Sequence, residues 1–170
     1  DTVRVHRLVQ DVVRARMTAA ARCDRLAAVA AACVLQATEP GRDVPADAAH
    51  LVALAGLAEA LGVEPDELVE ALEVVAVRQA ERALYPAAEH VLRAALRLHA
   101  ESHPAVRGRL TCALGQVLDT AGQLAPALEL HHEAVALLEA TVHPDDAVLA
   151  HAYNRLGHVL NCADRPGEAI

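Results

Sequence analysis

The chain has no Phe, no Trp and no Lys, and only one Met and two Tyr in 170 residues. Aromatics make up 1% of it and hydrophobic residues 54%, so the apolar content is mostly Ala, Leu and Val. An all-β core draws on aromatics and Thr, which this composition does not supply. Ala and Leu are the strongest apolar helix formers, and a core made of them lets helix backbones approach closely. Basic charge is also scarce. Fifteen Arg face 23 acidic residues, for a net charge of −8. That argues against nucleic acid as the main partner, because phosphates must be neutralised by basic groups. The imbalance is uneven: through Arg25 there are six Arg and three acids, and beyond it nine Arg and twenty acids.

Further absences narrow the chemistry. The four cysteines, Cys23, Cys33, Cys112 and Cys162, form no C-x-x-C pair and each lies in a helical pattern. They read as buried free thiols. No G-x-x-x-x-G-K-[ST] loop is present, so this chain alone cannot hydrolyse a nucleotide. Ten histidines include no H-E-x-x-H and no Cys/His cluster. His99 and His103 are four apart, but His103-Pro104 recurs as His143-Pro144, which points to a repeated turn. His131 and His132 are adjacent and point to different helix faces; His151 and His158 are two turns apart. Carboxylates such as Glu64, Asp66, Glu67, Asp145 and Asp146 gather at helix starts, where the helix dipole accounts for them. The expectation is no metal, no cofactor and no catalytic residue. Nothing resembles a signal peptide, and no apolar run is long and uncharged enough to span a bilayer. A cytoplasmic protein without a membrane partner is expected. The chain opens without Met and stops at Ile170 inside a helical pattern, and so reads as a segment of something longer.

What is present is one pattern written twice. Leu114-Gly115-Gln116-Val117-Leu118 returns as Leu156-Gly157-His158-Val159-Leu160, at an offset of 42. Ala127-Leu128 meets Ala169-Ile170 at the same offset. His-Pro recurs at 40, which places two extra residues early in the first helix of the second copy. A period in this range signals stacked helical repeats. A weaker copy precedes these two: Pro86-Ala87-Ala88-Glu89 matches Pro126-Ala127-Leu128-Glu129 at an offset of 40. Ahead of the repeats, Val3 to His6 suits a short strand, and Thr18 to Gln36 a buried helix ended by Glu39-Pro40-Gly41. Helices are expected over 46–61, from Glu64-Pro65-Asp66, with Pro65 in the first turn, to about Arg82, and from about Pro86 to Ser102. Gly115 falls within the apolar face of its helix, where it costs about 1 kcal/mol against Ala; close approach of the partner helix would offset that. Gly122 is placed to end that helix as a left-handed cap.

These residues resemble the tetratricopeptide repeat in its longer, kinesin-light-chain form. That family's pattern has a Leu-Gly pair, a small Ala twelve residues after the Gly, and another seven later. Leu114-Gly115, Ala127 and Ala134 fit it, as do Leu156-Gly157 and Ala169, and Tyr153 sits where the family often has an aromatic. In the weak copy Val74-Val75 replaces Leu-Gly, while Ala87 and Ala94 fit. Val5-His6-Arg7-Leu8-Val9-Gln10 is similar to the end of the winged-helix part of NB-ARC (STAND-type) ATPases, where a Met-His-Asp motif carries a His that touches bound ADP. His6 matches that His, and Val5 and Arg7 depart from the motif. Actinobacterial members join such a segment to a helical linker and tetratricopeptide repeats.

The resemblance implies an all-α fold, a right-handed α-solenoid of antiparallel helix pairs. It would comprise a winged-helix remnant over 1–17, a linker over 18–63, and repeats over 64–102, 103–142 and 143–170, the last truncated. It also implies a concave groove lined by the first helix of each pair. The groove positions carry over to Arg109, Cys112, Gln116 and Asp119 in one copy and to His151, Asn154, His158 and Asn161 in the next. The partner would be a protein or peptide in that groove, or the NTPase domain of the same chain, and His6 would sense nucleotide only beside such a domain. The expected function is the sensor or autoinhibitory arm of a signalling ATPase. A stand-alone adaptor, or part of a DNA-binding transcriptional regulator using the Arg-rich first 25 residues, are the alternatives.

Overall fold

The structure, a computed structural model, describes residues 44–61, 66–98, 103–141 and 146–163, together with Ala21, Asp24, Arg25, Ala28, Val29 and Ala32. The strand expected at Val3–His6, the winged-helix-like segment with His6, and most of the expected Thr18–Gln36 helix lie outside these residues. The described part is all-helical, with no strand among the described residues. Six helices follow one another: α1 Val44–Leu61, α2 Asp66–Glu81, α3 Tyr85–Leu98, α4 Pro104–Thr120, α5 Leu124–Glu139 and α6 Asp146–Cys162.

Local chemistry accounts for these bounds. Asp66 and Glu67 occupy the first turn of α2 and Arg78 its last, each on the favourable end of the helix dipole. Pro104 opens α4, where a missing N–H costs nothing and the fixed φ is already helical. Gly122, at φ 81°, turns the chain between α4 and α5. The Gln123 N–H donates back to the carbonyl of Leu118 at 2.9 Å, and the Gly122 N–H to that of Asp119. This is a Schellman-type end, in which a left-handed residue satisfies the last carbonyls. The α2–α3 turn has the same bonds: Leu84 to Gln79, and Ala83 to Ala80. Its left-handed residue is Ala83, at φ 59°.

The two turns fix a register that the sequence pattern misplaced by one residue. Ala83 matches Gly122, Glu81 matches Thr120 and Tyr85 matches Leu124, all at an offset of 39. Val75 and Ala76, both fully buried, therefore stand where Leu114 and Gly115 stand, rather than Val74 and Val75. Ala88 and Ala95, both fully buried, take the places of Ala127 and Ala134, and Ala87 is only half-buried. Helices α4 and α6 repeat at 42, with 17 residues each. The residues between His143 and Asp146, where the two extra residues are expected, lie outside the described residues.

Each helix packs chiefly on the next, α1 also meets α3, and α4 also meets α6. Helix α4 is shared between two apolar clusters. Leu110, Leu114 and Val117 pack with α1, α2 and α3 through Leu51, Leu68, Leu72, Val75, Val91 and Leu92. Cys112, on another side of α4, packs with Ala134, Val135 and Leu138 of α5 and Ala152, Leu156 and Leu160 of α6. Burying a leucine as fully as Leu51, Leu72 or Leu110 contributes roughly 1.5–3 kcal/mol. The α4–α5 contact is drawn in by two glycines. A Cβ on Gly108 would stand 2.7 Å from Leu138 Cγ, and one on Gly115 would stand 2.8 Å from His131 Cε1. Each pair, 108 and 115, 131 and 138, is two turns apart, so the glycines of one helix receive the side chains of the other.

Candidate functional site

The positions expected to line a groove divide by burial. On α6, His151, Asn154, His158 and Asn161 are exposed, and on α4 so is Gln116. Arg109 is half-buried and pairs with Glu73 of α2 at 3.1 Å. Cys112 and Asp119 do not face an open groove: they are 3% and 9% exposed. With neighbours on several sides of α4, positions 112 and 119 fall beneath α5 and α6. Spacing along α4 alone carries no trace of that.

Asp119 is the hub of the α4–α6 contact. Its Oδ2 accepts a hydrogen bond from Arg155 Nη2 at 2.7 Å and lies 3.3 Å from His158 Nδ1. Charge-assisted bonds of this length are the strong ones. Arg155 was not among the expected site residues. It matches Ala113 in the preceding copy, so the repeat pattern itself gave no signal for it. On the other flank, the Tyr153 hydroxyl donates to Glu139 of α5, and this bond to the carboxylate lifts the phenol above its ordinary range.

Behind the hub lies a buried thiol–imidazole pair. Cys112 Sγ is 4.0 Å from His131 Nδ1, and His131 is fully buried against Gly115. Adjacent His132 is exposed, so the two histidines do take different faces. Burial pushes the His131 imidazole down to about 4, with Arg155, His151 and His158 adding to the push and Asp119 opposing it. Burial also pushes the Cys112 thiol up, against Arg155. Both groups are therefore neutral near pH 7, whereas an activated thiol needs an imidazole able to hold its proton. The pair is packing. His131 Nε2 has no hydrogen-bond partner, a cost that the fit against Gly115 must offset. The sequence did carry one signal for His131: a glycine in mid-face implies a side chain that fills its place.

Cys162, expected to be buried, is exposed; it and Cys112 are free thiols. Its Sγ lies 3.8 Å from His158 Nε2 on the next turn. Cys23, Cys33 and His6 lie outside the described residues. Among the described residues no three His, Cys, Asp or Glu side chains are grouped to hold a metal ion, and no helix is long and apolar enough to cross a membrane.

A cleft of about 390 Å³ opens between the first turns of α2 and α4. Val69, Val106, Leu138 and Val148 give it apolar surface, and Asp66, Glu70, His103 and Arg109 charged or polar surface. Glu73 stands beside it through its pair with Arg109. Burial lifts the Glu73 carboxyl above the usual range; Arg109 opposes the lift and Glu70 adds to it. No protein-family model matches the chain, and no curated protein matches it.

Proposed function

We propose that this chain is a protein–protein interaction module. It would be built as a right-handed α-solenoid of tetratricopeptide-like helix pairs, acting as the sensor or autoinhibitory arm of a nucleotide-switched signalling ATPase. The observation that carries the interaction reading is the exposed polar stripe of α6: His151, Asn154, His158 and Asn161 at spacings of three and four. Asn is unfavourable in a helix interior because its side chain competes for backbone hydrogen bonds. Asn154 stands in the interior of α6 and Asn161 in its last turn; the two on one exposed stripe suit a surface that bonds a peptide backbone without demanding one charge. Gln116 continues the polar character on α4. The repetition of α4 in α6 at 42 residues, and the buried small residues Ala127 and Ala134, support the stacked-pair architecture. In this reading a partner binds one packing of the arm better than another and shifts the population towards it.

The test compares the full chain with Asn154→Ala/Asn161→Ala. A partner captured from the native cytosol is purified and titrated against both. Binding at least tenfold weaker for the double variant supports the α6 surface; equal binding removes it. The ATPase connection stands on the reading frame upstream of Asp1. A phosphate loop in frame there makes His6 the residue to substitute for altered nucleotide control, and a frame without one ends that connection.

A further inference from the structure

The cleft between α2 and α4 has a floor and a wall of different character. The floor is apolar, and Leu138 reaches it because Gly108 has no side chain to hold α5 away. The wall is acidic. Glu70 lines it, and Glu73, three residues further along α2, stands beside it, paired with Arg109 at 3.1 Å. Glu70 makes no ion pair among the described residues. By formal charge, the single guanidinium of Arg109 stands against the carboxyls of Asp66 and Glu70 in the lining and of Glu73 beside it. At about 390 Å³ the cleft is at the small end of the 300–1,000 Å³ typical of ligand sites, with room for one or two side chains.

We propose that this cleft docks a segment of a partner protein that carries an Arg or Lys next to an aliphatic residue, with the cation at Glu70, beside the Glu73–Arg109 pair, and the aliphatic group over Val106 and Leu138. The assignment rests on the reading of the chain as an interaction module and names the chemistry of its partner. The acidic wall repels nucleic acid and anionic membranes. An inorganic cation would leave the apolar floor uncovered, whereas a basic residue beside an aliphatic one satisfies both. Fully paired, the cation would be partly desolvated, and such contacts set specificity and on-rate.

The test is an array of hexapeptides with Arg, Lys, citrulline or Glu at a fixed central position and Leu, Val or Ser beside it. It is probed with the full chain and with the variants Glu70→Gln, Glu73→Gln and Asn154→Ala/Asn161→Ala. The expected result is selection of Arg or Lys beside Leu or Val, with citrulline at least tenfold weaker. That preference is lost in Glu70→Gln, an exposed position whose change leaves the fold intact, and weakened by added salt. Equal binding of citrulline and Arg peptides, no selection of basic peptides, or a preference unchanged in Glu70→Gln would overturn the proposal. The two readings fail separately. A native partner that depends on Asn154 and Asn161 but ignores Glu70 leaves the interaction module standing without this cleft. Basic peptides that depend on Glu70 alone establish the cleft without the α6 surface.

Discussion

Two glycines with the same sequence surroundings have opposite structural roles. Gly115 is pressed by the His131 ring, with three ring atoms 2.8–3.1 Å from where a Cβ would sit, while Gly157 has nothing within 4 Å. Gly115→Ala is expected to destabilise the protein. Overpacking of about 1–3 kcal/mol outweighs the gain of about 1 kcal/mol from better helix propensity, because a fully buried ring has nowhere to turn. Gly157→Ala is expected to stabilise by about 0.5–1 kcal/mol. Urea denaturation of the two variants gives the signs, and equal shifts would mean that the two sites are not different. His131 makes a pH prediction. Its folded value, about 4, lies below the unfolded 6.5, so the unfolded chain binds more protons between these values. Its contribution is complete above about pH 6.5 and is lost as pH falls towards 4, by up to roughly 3 kcal/mol. Glu73, raised in the fold, acts in the opposite direction, so the comparison must be with His131→Gln. The stability difference between wild type and variant should shift in the variant's favour across that window; a constant difference from pH 7 to pH 4 would falsify the assignment.

At the scale of helices and turns, the α2–α3 and α4–α5 connections share one hydrogen-bond pattern and differ in the residue that carries it. Ala83 holds a left-handed conformation at φ 59° that Gly122 adopts freely at 81°. An L-residue with a Cβ is strained there by roughly 1–2 kcal/mol. Ala83→Gly is expected to raise stability by about 0.5–1 kcal/mol, since relief of strain exceeds the entropy cost, and Gly122→Ala to lower it by about 1 kcal/mol. Thermal melts of both variants check this. A loss of stability in Ala83→Gly would show that the strain is absent. This turn was half legible. Gly122 announces a left-handed cap in the sequence, whereas Ala83 announces nothing, because its conformation is imposed by the helices on either side. The same silence leaves the sequence pattern one residue out of register there, with Val74-Val75 against Leu114-Gly115, whereas the turns repeat at 39.

For the molecule as a whole, the question is what couples successive copies. Apolar contact supplies most of it, with α4 shared between the two clusters. Ion pairs join α1 to α3 through Glu59 and Arg97, α2 to α4 through Glu73 and Arg109, and α4 to α5 through Arg107 and Glu133. These are solvent-exposed in part and contribute about 0–1 kcal/mol each. Asp119–Arg155 differs, because the carboxylate is 6% exposed and the separation 2.7 Å. Arg155→Ala leaves that buried carboxylate with His158 Nδ1, at 3.3 Å, in place of its guanidinium and should cost about 1–3 kcal/mol. In a double-mutant cycle with Asp119→Ala the two changes should be less than additive, with a coupling of about 1 kcal/mol or more. Additive losses would show that the clasp contributes nothing to holding α6 on α4.

The sequence by itself determined that this chain is helical, and nearly where its helices start and stop. Those features follow from local causes: Ala and Leu propensity, apolar spacing, Pro104 at a helix start and Gly122 at a helix end. It also determined that α4 recurs as α6, because the pattern was written twice. Only the tertiary structure decided which residues of the expected groove remain open. Cys112 and Asp119 have the same stripe spacing as Gln116, yet helices arriving from twelve and more residues away cover them. The partner of Asp119 was likewise decided there, since Arg155 enters the contact from α6 and its position follows from how α6 docks. The pairing of an acidic wall on α2 with an apolar floor from α4, α5 and α6 exists only once these helices are assembled. Burial depends on neighbours, and neighbours distant in the chain leave no local mark.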